Sequence, residues 1–339
     1  MTSQSKLRIG LTAGIAGGPG RDQSVEKIRL ADQLGYDSLW FGETWGYDIV
    51  TSMGEVVRAT ERIKVGSGIM NVYSRSPGVI ASAFATLDEL SGGRMLIGLG
   101  SSGANVIEHF HGVPFEQPMR RLREYVEIIN MLLHGDRLVY HGQIFNLERG
   151  FRLQVNLVRD HIPVYIAAIT PGSIVQTGEI ADGLIPIHWP KDKYGSVRQR
   201  LDRGAKKAGR SGADIVVAPY LTTGYVLDEA QREAVHRQAK QPVSFYIGRM
   251  GTFYKEMLAR EGYPTETAAI EAAWGGGQDA AIDAVPDYMA DNIAVVGTPK
   301  EIHQQLMQLQ SVGVDMPVLS MPPGDPDQAG RILDTVMNG

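Results

Sequence analysis

IKVGSGIMNVYSRSPGVIASAFATLDELSGGRMLIGLG, running from Ile63 to Gly100, decides the fold. It opens on a short apolar run, IKVGSGIM, and closes on another, MLIGLG. Between them Pro77 occupies a favoured first helical position. Ile80, Phe84, Leu87 and Leu90 then share one helical face, and Gly92-Gly93 stops the helix. Strands apolar on both faces and joined by a helix form a parallel crossover unit covered by helices.

The same rhythm extends in both directions. Upstream lie LRIGLTAG (7–14) and DSLWF (37–41), separated by a helical pattern on Val25, Ile28, Ala31 and Leu34 that Gly35 ends. Downstream, Pro118 opens a helix carrying Leu122, Tyr125, Ile129 and Leu132, which Gly135 ends. IPVYIAAI (162–169), DGLIPI (182–187), DIVVAPYL (214–221) and VDMPVLSM (314–321) follow, so eight buried strands are expected. Thr298-Pro299-Lys300-Glu301 reads as a capping box opening the last helix before strand eight. Eight such units predict an α/β fold, a (β/α)8 TIM barrel occupying one domain over 1–339. Two insertions are expected: 136–161, whose GQIFNL suits a hairpin, and a mostly helical one at about 241–292.

Composition narrows the chemistry. With 33 Lys+Arg against 38 Asp+Glu, the net charge of -5 argues against a nucleic-acid partner, which needs a basic face. The absence of Cys removes disulfides, thiolate nucleophiles and Cys-based metal sites. No apolar run is long enough to span a membrane, and MTSQSKLRIGL lacks a secretion signal's apolar core, so a cytoplasmic protein is expected.

Several strand ends carry candidate chemistry. GLGSSG (98–103) matches a dinucleotide fingerprint but follows the fourth strand instead of the first. Its nearest acidic residue at the required distance, Glu124, falls inside a helix. A glycine-rich turn at the barrel mouth, where active sites lie, is the better reading. Gly66-Ser67-Gly68 suits either a plain barrel corner or unusual backbone against a flat ligand. Glu43, among Trp45 and Tyr47, is either a general acid or base or part of the helix-capping region with Asp48. Thr170-Pro171-Gly172-Ser173 either caps its helix or binds phosphate. Glu108, His109 and His111 match no common metal spacing, and no metal is expected. His188-Trp189, at the end of the sixth strand, suits substrate contact or ordinary rim packing.

The opening stretch resembles the core of the bacterial luciferase-like flavin-dependent oxidoreductases. GANVIEHFHGVPFEQPMRRLREYVEIINMLLHG and IPVYIAAITPGSIVQTGEIADG continue the resemblance, which runs from about residue 7 to 321. FYIGRMGTFYKEMLAREGY and AVPDYMADNIAVVGTP resemble the branch that uses the deazaflavin coenzyme F420 and includes methylenetetrahydromethanopterin reductase. The resemblance implies a non-prolyl cis peptide at Gly68-Ile69 backing the flavin ring, with Met70 and Asn71 touching it. Gly100, Ser101, Ser102, Gly103 and Val106 would border the cofactor. Ala167, Ala168, Ile169, Thr170, Pro171 and Gly172 would hold its phosphate. Trp45, Tyr47, His188 and Trp189 would wall the substrate face.

One departure bears on the reaction. The alcohol and sugar dehydrogenases of this branch carry Asp-His after the second strand, with the His as base, whereas this chain has Glu43-Thr44. At the fourth strand's mouth, Gly103 stands where those relatives carry a Glu. The resemblance therefore implies a reductase, with Glu43 supplying a proton or orienting the ring. A reduced cofactor would pass hydride to an activated C=C, C=N or nitroaromatic small molecule. Alternatives within the same fold are an FMN-dependent monooxygenase and a non-catalytic flavin-binding protein; a cofactor-free barrel lyase or hydrolase lacks a clear Lys or metal constellation. The relatives commonly form dimers, so a homodimer is expected.

Overall fold

Parallel ladders join the apolar runs in a ring. In this computed structural model, which describes residues 7–339, the strands are Gly10–Thr12, Ser38–Phe41, Lys64–Ser67, Met95–Gly100, Val164–Ile166, Gly183–Leu184, Val216–Val217 and Val318–Ser320. The opening residues read above for a secretion signal, 1–6, lie outside the description. Each of the first six strands pairs with the next, and the first also pairs with the last, Gly10 opposite both Ser38 and Val318. Parallel bridges Ile187–Tyr220 and Tyr220–Val318 close the ring between its sixth, seventh and eighth members.

The regular ladders are shorter than the apolar runs, and proline is the reason. Pro163, Pro186, Pro219 and Pro317 have no N–H to donate, so pairing is interrupted where they sit. Their carbonyls still accept, from Ile97, Tyr220, Val318 and Gly10 respectively, each at 2.9 Å.

Two packed layers result. The outer one, between strands and helices, is aliphatic and includes Leu11, Leu39, Val65, Ile80, Phe84 and Ile97, all fully or nearly fully buried. The barrel interior is different. Trp40, Tyr165 and Tyr220 fill it with Leu96, Ile185, Met316 and Val318. Trp40 meets Tyr165 edge-on at 5.0 Å and donates to the Ser38 hydroxyl at 2.9 Å. Rings of that size fit because facing positions are glycine. A Cβ on Gly183 would sit 2.1 Å from the Tyr165 ring, and one on Gly68 would sit 1.5 Å from the Tyr220 hydroxyl.

Helix boundaries follow the local signals. Ser76 caps Pro77–Ser91, Gly35 and Gly92 end their helices with positive φ, and Thr298 with Glu301 forms the capping box. The first insertion is an antiparallel hairpin, Leu138–His141 with Asn146–Phe151. Its turn is held by buried Glu124, whose carboxylate accepts from the N–H groups of Gln143, Ile144 and Phe145 at 2.8–3.1 Å. Glu124 is thus a structural acceptor.

The distal insertion is helical but wider than expected. It contains five α-helices between Arg232 and Ile293, and Pro242 lies inside the first of them. Thr223–Tyr225 and Val295–Gly297 close it as a small parallel sheet, which the sequence reading missed. Among the described residues no helix is long and apolar enough to cross a membrane.

Candidate active site

The loops following the second, third and fourth strands meet around one carboxylate. Glu43 accepts from the Asn71 backbone N–H at 2.8 Å, the Asn71 side-chain amide at 2.7 Å and the Ser74 hydroxyl at 3.0 Å. It also pairs with the Arg75 guanidinium, and its side chain is only 10% exposed. Arg75 reaches on to Asp48, which accepts from Thr51 N–H at 2.8 Å and caps the helix Ile49–Ala59. Burial pushes the Asp48 carboxyl up, but the Thr51 hydrogen bonds and the Arg75 charge outweigh it and leave it below its ordinary value.

Every donor around Glu43 points inward at its oxygens. That geometry suits an acceptor which fixes neighbouring loops, and the expectation of Glu43 as proton donor is corrected accordingly. Asn71 is equally committed: its Oδ1 accepts from Tyr73 N–H at 3.0 Å, and its amide also lies 3.2 Å from His111 Nε2. His111, weighed above as a metal candidate, instead ties the fourth loop to Asn71. Among the described residues no group of His, Asp and Glu is arranged to hold a metal ion.

The Gly68–Ile69 peptide is cis. Gly68 N–H donates to Phe41 O at 2.6 Å, and Ile69 O accepts from Glu43 N–H at 3.0 Å. The Ile69 side chain lies across Gly100, where a Cβ would come within 2.9 Å of its Cδ1. The Met70 side chain is fully buried in the outer core, which leaves only the main chain of this residue to meet a ring.

Beside this floor stands a row of free donors. The N–H groups of Ser101, Ser102, Gly103, Ala168, Ile169 and Gly172 find no acceptor among the described residues. Positions 103 and 172 face open space, since a Cβ there would touch nothing within 4 Å. Val106 and Ala167 are half-buried alongside. Thr170 does not offer its hydroxyl: a capping box locks it to Ser173, Oγ to Oγ at 2.8 Å, and Pro171 has no N–H. The expected phosphate contact by Thr170 is therefore corrected, and Gly172 N–H is the donor that this helix start leaves open. A row of main-chain donors beside open space suits an anionic cofactor tail.

The aromatic wall divides. Trp45 and Tyr47 are 64% and 62% exposed on the second loop, and the Tyr47 hydroxyl lies against Gly17. Trp189, 1% exposed, belongs to the core under the Arg200 guanidinium, so its expected substrate role is corrected. His188, 3% exposed with φ of 55°, packs against Tyr246 and Tyr254 of the distal insertion. Burial pushes its pKa down to about 4. Tyr220, under Gly68, has a buried hydroxyl with no partner among the described residues, and burial raises its pKa well above the usual tyrosine value.

Sequence reasoning missed Ser74, Arg75, Tyr220, Tyr246 and Tyr254. Two carboxylates, Glu43 and Asp48, at one strand end called for a nearby cation, and that was the signal for Arg75. The glycine at position 68, opposite an aromatic strand end, was the signal for Tyr220.

A family model described as luciferase-like monooxygenase matches residues 4–316. The 5,10-methylenetetrahydromethanopterin reductase of Archaeoglobus fulgidus is 30% identical over 314 residues, 90% of this chain and 91% of that protein. The F420-dependent glucose-6-phosphate dehydrogenase of Microbacterium testaceum is 30% identical over 201 residues, 55% of this chain and 59% of its own. Among solved structures, the coenzyme F420-dependent tetrahydromethanopterin reductase from Methanopyrus kandleri matches with a TM-score of 0.83 at 25% identity, covering 98% of both chains. With a closed parallel barrel and a family match over nearly its whole length, the chain belongs to the luciferase-like monooxygenase family.

Proposed function

We propose that this protein is an F420-dependent oxidoreductase that works as a reductase of a small organic molecule. The cofactor reading rests on the F420-dependent relatives together with the open donors at the fourth and fifth strand ends. Bound there, the deazaflavin supplies a hydride. The residues then have separate tasks. Gly68 and Ile69 form the floor, the N–H groups of Ser101, Ser102, Gly103 and Gly172 hold the anionic tail, and Glu43 with Asn71 fixes the loops that orient the ring.

The observation that carries the direction is the lack of a base. A dehydrogenase must take a proton from the hydroxyl it oxidises. Glu43 has its oxygens filled by four donor groups, and Thr44 beside it accepts from Gly46 N–H at 3.3 Å. Of the imidazoles near the mouth, His111 is engaged by the Asn71 amide at 3.2 Å and His188 is a weak base at a pKa of about 4. Hydride delivery to an acceptor needs no such base.

The test is anaerobic mixing of the protein with chemically reduced F420 and, in turn, an enone, an imine and a nitroarene. Enzyme-dependent return of oxidised F420 absorbance with at least one of them is expected. Reduction of oxidised F420 by 2-propanol or glucose 6-phosphate, with no turnover of the three acceptors, would overturn the reading.

A further inference from the structure

Between the mouth ends of the first and eighth strands lies a cavity of about 210 Å³. Ala13 and Gly14 reach it from the first strand, Met321 and Pro322 from the eighth, and Lys27 and Ile28 from the helix Gly20–Leu34. Its charge is one-sided. Lys27 is half-buried, its ammonium donates only to Pro322 O at 3.2 Å, and it pairs with no carboxylate among the described residues. No acidic side chain among the described residues lines the cavity. The Ser24 hydroxyl in the wall is already committed, accepting from Ala16 N–H at 3.1 Å and donating to Gly20 O at 3.0 Å. The main-chain N–H groups of Gly14 and Met321, in contrast, find no acceptor among the described residues. A Cβ on Gly14 would touch nothing within 4 Å, so that position is open.

An ammonium drawn partly out of water without a counter-ion gives up hydration with no return, and an anion beside it restores the balance. The other walls, Ala13, Ile28, Met321 and Pro322, are apolar, which suits a ligand with one charged end on a hydrocarbon body. Position in the ring separates this corner from the cofactor tail. The open donors for that tail follow the fourth and fifth strands, and in a ring of eight the eighth and first stand opposite them. The corner also borders the second loop. Ala13 N–H donates to Trp40 O at 3.0 Å, and the Tyr47 hydroxyl lies against Gly17 in the loop that leaves the first strand.

We propose that Lys27, with the N–H groups of Gly14 and Met321, forms an anion subsite for a carboxylate of the hydride acceptor, which is therefore a small organic acid. The inference rests on the reductase reading above and deepens it. The carboxylate anchors the molecule and is itself unchanged. Hydride and a proton from water add across the acceptor's C=C, and the hydride donor is oxidised by two electrons.

The probe is trans-4-oxo-2-pentenoate, an enone that carries a carboxylate, with its methyl ester as the uncharged control. Both are titrated by ligand-observed NMR into wild type, Lys27→Met and Lys27→Arg, with and without F420. Lys27→Met keeps an apolar stem and removes the charge, so its melting temperature and its F420 affinity should match wild type. Acid affinity should fall about tenfold in Lys27→Met, recover in Lys27→Arg and weaken with added salt. The ester should bind more weakly than the acid to wild type and equally to all three proteins. Equal acid binding by wild type and Lys27→Met, or equal binding of acid and ester by wild type, would overturn the proposal. Loss of F420 affinity in Lys27→Met would overturn it as well, by giving the corner to the cofactor's tail. Tighter Lys27-dependent binding of inorganic phosphate than of the acid would replace the carboxylate with a phosphate. Lys27-dependent acid binding by protein that fails to bind F420 would sink the cofactor reading and leave the subsite standing.

Discussion

Acidification should unfold this protein partly through His188. The imidazole is buried with a pKa of about 4, against about 6.5 in an unfolded chain. The unfolded state therefore binds the proton first, and stability falls as pH drops through the window between those values. From pH 7 to pH 5 the unfolded chain becomes largely protonated at this site and the folded chain does not. Linkage with these two pKa values gives a loss of about 2 kcal/mol, roughly thirtyfold in the unfolding equilibrium. The groups packed on the imidazole are tyrosines, which stay neutral throughout that window. The assay is urea denaturation of wild type and His188→Asn at both pH values. Comparing the two pH-induced losses cancels every other titrating group and any direct cost of the substitution. Wild type should lose about 2 kcal/mol more than the variant. Equal losses would refute the reasoning, because an imidazole that protonates freely in the folded state cannot be sealed beneath Tyr246 and Tyr254.

His161 makes the opposite case. Its hydrogen bond to Asp182 at 2.8 Å raises its pKa, so it contributes stability below about pH 6.5 that is lost as pH rises through its folded value. Asp182 is held low despite burial, chiefly by that bond and by Val164 N–H, so its own contribution disappears only in acid. The urea midpoint of His161→Ala should lie below wild type at pH 5.5 and close to it at pH 8; an identical gap at both would contradict the pairing. Arg75→Ala removes the cation from the sequestered Glu43 carboxylate and should cost about 1–3 kcal/mol in urea unfolding. An unshifted midpoint would remove Arg75 from the account. Gly172→Pro deletes the open donor at the start of its helix and should weaken F420 binding about tenfold, the value of one hydrogen bond to a charged group, with little change in melting temperature. Undiminished affinity would place the anionic tail elsewhere.

The barrel was legible because its signals are local and repeated. Apolar runs of strand length, Pro at helix starts and Gly at helix ends all read directly, and the helices opened by Pro77, Pro118 and Pro299 stand where those signals put them. The site was harder because its residues meet only across the ring. Glu43 looked like a proton donor while Arg75 and Asn71, about thirty positions away, were out of view. Thr170 looked like a phosphate ligand, but its reciprocal bond with Ser173 consumes the hydroxyl. Trp189 and Met70 looked like lining, yet their side chains turn into the core. Burial of that kind depends on which face a strand-end residue presents, and period-two alternation fails where a strand is apolar on both faces. Tyr246 and Tyr254 sit on helices of an insertion whose docking onto the mouth no local pattern encodes.

The central claim is that the mouth of this barrel holds a deazaflavin. Equilibrium titration of the purified protein with coenzyme F420 and with FMN, side by side and followed by ring fluorescence, tests it most directly. Saturable F420 binding, tighter than FMN binding, is expected. Tighter binding of FMN, or no saturation with F420, would contradict it.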